Sequence, residues 1–96
     1  GWTELLKCLY LGRLFDEGLE YAQFALEQTD SKPIFIYFKS MFLFAAGKSK
    51  EALICLENGM AINPKLIKRF IEINPAILQQ QQVVELIARY KKKKSR

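Results

Sequence analysis

Few residues in this chain are equipped for chemistry, and their spacing argues against it. There is no histidine, so no side chain that ordinarily titrates near neutrality is present as a general base, and neither cysteine has an imidazole partner to make it a nucleophile. Cys8 and Cys55 are separated by 47 positions with no CxxC pair, which fits neither a metal site nor a disulfide framework. Each is expected to sit reduced in a helix as a small, buried apolar side chain. Asp16, Glu17 and Glu20 cluster, but acids gather at the start of helices, where they meet the positive end of the helix dipole. The glycines form no phosphate-cradling loop. The expectation is a protein that is not an enzyme and uses no cofactor or metal.

The remaining charged feature is Lys91-Lys-Lys-Lys-Ser-Arg96. The net charge of +5 is concentrated there: residues 89–96 carry six basic side chains, while the other 88 residues carry nine basic and ten acidic ones, a net of −1. A short basic run can contact phosphates, yet no aromatic residue lies within it to stack on bases. The favoured reading is a solvated tail at the negative end of the last helix, with binding of nucleic acid or an anionic surface held in reserve.

Ninety-six residues make one domain with a modest core, and half of them are apolar, as in ordinary globular chains. The densest apolar stretch runs from Pro33 to Gly47, with eleven apolar side chains interrupted by Lys39 and Ser40. It is shorter than the roughly 18 to 20 residues of a membrane span. No basic leader with an apolar segment and cleavage site opens the chain, so a cytoplasmic setting is expected, and the abrupt start at Trp2 suggests part of a longer array.

Internal comparison organises the rest. Phe15 to Asp30 lies over Ser49 to Pro64 at a constant, gapless shift of 34 residues, pairing Glu17 with Glu51, Gly18 with Ala52, Leu19 with Leu53, Ala25 with Gly59 and Leu26 with Met60. Apolar positions three and four apart in both copies predict an amphipathic helix in each. Pro33 suits a first helical turn and Gly47 a helix end, so the apolar stretch is read as the helix preceding the second copy, covered on nearly all sides.

A 34-residue helix-turn-helix unit with these residues resembles the tetratricopeptide repeat. Trp2 and Leu5 match its first-helix Trp and Leu, Phe15, Gly18 and Ala25 its second helix, and Gly47, Ala52, Leu56, Gly59 and Pro64 the same features in the second copy. Departures are Leu6 and Ser40 at the first-helix glycine, Lys39 at a leucine and Asp30 at a closing proline. The expected fold is all-α, an α-solenoid of antiparallel helix-turn-helix repeats with about six helices. Residues 1–32 form repeat one, 33–66 repeat two and 67–92 a degenerate capping repeat, followed by the basic tail 91–96. In the cap, Asn63 starts a short helix from Pro64 to Ile73, Pro75 to Gln80 makes a turn, and a last helix runs from about Gln81 to Lys92. Val83, Val84, Ile87 and Tyr90 are expected to pack onto repeat two.

The resemblance implies a protein-protein interaction module, a scaffold or adaptor, whose first helices line a concave groove for a peptide or partner helix. Residue by residue, the groove falls to Thr3, Lys7, Tyr10 and Leu11 from repeat one and Ile34, Tyr37, Met41, Phe44 and Ala45 from repeat two. Such a surface binds by burial, unless the C-terminal segment folds back to fill it. Family members that grip chaperone C-terminal carboxylates use positions held here by Thr3, Lys7, Phe38, Lys68 and Glu72, of which only Lys68 agrees in type and place. The alternative is a structural module that self-associates as a homodimer.

Overall fold

The computed structural model describes residues 1–94, with side chains through Lys91. Those residues form six α-helices and two 3-10 turns, with no strand. The helices are α1 (Trp2–Leu11), α2 (Phe15–Gln28), α3 (Pro33–Ala45), α4 (Ser49–Ile62), α5 (Ile67–Ile73) and α6 (Gln81–Lys94). The 3-10 turns, Pro64–Leu66 and Pro75–Gln79, flank α5. The last helix extends past its expected end, through the first four lysines of the basic run; Ser95 and Arg96 lie outside the described residues.

Local sequence explains the boundaries. Pro33 opens α3, where its missing N–H has no helical acceptor to lose. Asn63 and Asn74 each precede a proline and accept from the backbone two residues on, at Lys65 and Ala76, both at 3.2 Å. This is N-capping of 3-10 turns, and it breaks what would otherwise be one long C-terminal helix into short pieces that can fold back.

The turn between α1 and α2 recurs between α3 and α4. Gly12 donates to the Cys8 carbonyl (2.9 Å), Arg13 to Tyr10 (3.1 Å) and Leu14 to Leu9 (2.9 Å). At a shift of 34 residues, Ala46 donates to Phe42 (3.0 Å), Gly47 to Phe44 (3.1 Å) and Lys48 to Leu43 (2.9 Å). Both turns pass through the left-handed region, at Arg13 (φ 63°) and Gly47 (φ 80°).

Consecutive helices pack on each other, and α3 lies at the centre of the molecule. Seven of its thirteen residues are buried, including Phe35, Phe38, Phe42 and Leu43, so a helix with apolar side chains on most faces finds cover on most faces. Its buried Ser40 hydroxyl donates to the Ala52 carbonyl of α4 at 3.0 Å, which satisfies the one polar side chain in the core. Lys39 reaches across to Gln23 of α2 at 2.8 Å, keeping its ammonium group at the surface.

Small residues set the helix spacing. At Gly18 the Phe42 ring occupies the space a side chain would need, and at Gly59 the Tyr37 ring and Ile36 come almost as close. Of the residues expected to hold α6, Val83 is fully buried and Ile87 and Tyr90 pack against the core, whereas Val84 is 44% exposed. Leu86 takes the inward place instead.

Cys8 departs from expectation. It lies in α1 but is exposed, because the position that Phe42 occupies in α3 has no helix packed against it in α1. Cys55 is half-buried, and its thiol donates to the Ile36 carbonyl at 3.2 Å. Burial pushes that thiol upward in pKa, with Lys39 and a backbone hydrogen bond opposing.

Candidate functional site

The face of α1 and α3 expected to form an open groove is crossed by the C-terminal segment. Phe70 of α5 stacks on Tyr37, with ring centres 5.1 Å apart and planes at 14°, and meets Phe38 edge-on at 4.9 Å. Further along, the Asn74 amide donates to the Tyr10 hydroxyl at 2.6 Å, linking residues 64 positions apart. Burying Phe70 contributes about 2–3 kcal/mol and the ring contacts somewhat more, so this crossing is part of the core.

Two of the expected groove residues are therefore core residues. Tyr37 is fully buried: Gly59 of α4 lies against one part of its ring, Phe70 against another, and its hydroxyl donates to the Asn63 carbonyl at 2.8 Å. Removal from water holds that hydroxyl protonated far above the ordinary tyrosine range. Met41 is 2% exposed and forms part of the floor beneath the second 3-10 turn. Apolar type on a first helix marked both residues as groove, but the same type serves a core once α5 covers the helix.

The others are divided between two clefts. Lys7, Leu11 and Ile34 line a cleft of about 430 Å³ between α1, α3 and α5, together with Thr3, Arg69 and Ile73. Leu11 is 61% exposed and Lys7 is also at the surface, while Ile34 is half-buried. Glu72 adds an acid beside the basic Lys7 and Arg69, so the rim of this cleft carries both signs of charge. Tyr10, Phe44 and Ala45 line a second cleft of about 340 Å³, closed on its far side by Asn74, Ala76 and Gln79. There Tyr10 packs between Phe15 and Phe42, each with ring centres 5.6 Å away, which fixes the hydroxyl that Asn74 reaches.

Sequence reasoning placed no site residue on α5, where Arg69 and Ile73 complete the first cleft. The phase of Phe70, 68 residues after Trp2 and 34 after Ile36, was the available signal that α5 stacks on α3.

Among the described residues no group of three or more acids, cysteines or histidines is placed to hold a metal ion, and no helix is long and apolar enough to cross a membrane. No family model matches the chain, and neither the curated proteins nor the solved structures searched contain a match to it.

Proposed function

We propose that this chain is a non-catalytic protein-protein interaction module of tetratricopeptide-like helical hairpins. Its concave cleft between α1, α3 and α5 takes an extended peptide or one face of a partner helix. The supporting observation is the cleft itself: Leu11 and Ile34 present apolar surface beside Lys7, Arg69 and Glu72, a mixture suited to a ligand with apolar anchors and charges of both signs. Tyr37 and Met41 enter this reading only as the support beneath the surface.

The test uses Leu11→Asp combined with Lys7→Glu. Both side chains are exposed, so the fold should persist while capture of peptides selected on the native protein is lost. Equal capture by native and variant protein, with unchanged circular dichroism, would rule the cleft out.

Self-association is the second reading, and one feature favours it. Trp2 packs tilted on Tyr21 and Phe24, with ring centres 6.1 and 5.4 Å away, and Tyr21, Phe24 and nearby Leu5 are each at least 40% exposed. An apolar aromatic face of this kind suits a symmetric interface. Light scattering over a concentration series separates the two readings, since a monomer at high micromolar concentration removes self-association.

A further inference from the structure

The cleft on the opposite side of α5 differs from the concave one in charge. Met60 from the end of α4, Ile67 and Ile71 from α5, and Ile87 and Tyr90 from α6 form its apolar walls, enclosing about 420 Å³. Lys65 and Lys68 stand exposed on one rim and Lys91 on the other, and no carboxylate lines it among the described residues. The clefts elsewhere that carry lysine or arginine beside acids are self-neutralised, as with Lys7, Arg69 and Glu72, or with Lys39 and Lys48 beside Asp16, Glu20 and Glu51. Here the positive charge has no acidic counterpart in the lining.

We propose that this cleft is a second binding site, for an acidic segment of a partner protein that carries an apolar anchor residue. The anchor enters between Ile71 and Ile87, and its flanking carboxylates meet Lys65 and Lys68. The shape favours a peptide over a membrane surface. Met60 and Ile67 are nearly fully buried at the floor, so the apolar surface is recessed, whereas membrane insertion needs apolar side chains that protrude. The sequence continues the same charge through Lys92, Lys93 and Lys94, which raises the local positive potential and should speed encounter with an acidic ligand. This site is independent of the concave cleft.

The experiment titrates the full chain into a short, fluorescein-labelled peptide of alternating glutamate and phenylalanine, read by anisotropy and by amide chemical-shift mapping. Controls are the same peptide with glutamine for glutamate, the same with alanine for phenylalanine, and phosphatidylserine vesicles. Saturable, salt-sensitive binding is expected, with shifts centred on α5 and α6. Each control peptide should bind about tenfold more weakly, and Lys65→Glu with Lys68→Glu should cost about tenfold or more, as two attractions become repulsions. Four results would overturn the proposal: no saturation at roughly millimolar protein; equal binding of the alanine peptide, which would assign the effect to the basic run alone; binding to vesicles but not to the peptide; or shifts confined to the concave cleft. Should the double variant unfold, the shift map on the native chain decides.

Discussion

The Phe42 ring of α3 lies against the bare backbone of Gly18 in α2: a Cβ added at Gly18 would stand 2.0 Å from Cε1 of that ring. The contact joins the first helical hairpin to the helix that follows it, and Phe42 is fully buried. Such a distance is far inside van der Waals contact, and a fully buried ring has little room to retreat.

Gly18→Ala should therefore destabilise the protein by about 2–3 kcal/mol, although alanine is the better helix former by about 1 kcal/mol. Combining it with Phe42→Leu should recover part of the loss. Urea unfolding of the single and double variants is the check, and a stabilised single variant would refute the packing argument.

The repeated turn makes an opposite pair of predictions. Arg13 adopts a left-handed backbone that costs a non-glycine residue about 1 kcal/mol, whereas Gly47 meets the same requirement without that cost. Arg13→Gly should gain about 0.5–1 kcal/mol and Gly47→Ala lose about 1 kcal/mol. No heavy atom approaches the added methyl at Gly47, so the loss would be purely conformational. Thermal melts of both variants test the equivalence of the two turns.

Stability should fall at alkaline pH through Tyr37. Its folded pKa is raised by burial above the unfolded value near 10, so the stabilisation is complete below about pH 10 and is lost as pH rises beyond it, when the unfolded state releases its proton. Tyr37→Phe should flatten this dependence while costing about 1 kcal/mol at neutral pH, because the Asn63 carbonyl loses its donor. Urea midpoints of both proteins measured from neutral pH to about pH 11 would show it, and parallel curves would exclude Tyr37 as the cause.

The two thiols should separate kinetically. Cys8 is exposed, whereas Cys55 is half-buried, hydrogen-bonded to Ile36 and pushed up in pKa. In the native state a maleimide should label Cys8 faster than Cys55 by about tenfold or more, with the difference vanishing in denaturant. Peptide mass spectrometry after brief labelling gives the ratio.

How much of this was legible beforehand depends on the range over which each feature is decided. The helical hairpins were, because periodicity, the caps at Pro33 and Asn63 and the 34-residue phase are local or internally repeated signals. Gly18 and Gly59 were marked as small positions, though which ring filled each space was not.

The site was legible only in part. Lys7, Leu11 and Ile34 share one cleft, and Tyr10 and Phe44 share another, but Tyr37 and Met41 are core. An apolar face reads the same in sequence whether a ligand or the chain itself covers it, since burial stabilises by area and not by the identity of the partner. The sequence by itself determined the helices and their repeat. Only the tertiary structure decided that α5 and Asn74 cross the α1–α3 face, because that depends on contacts between residues up to 64 positions apart.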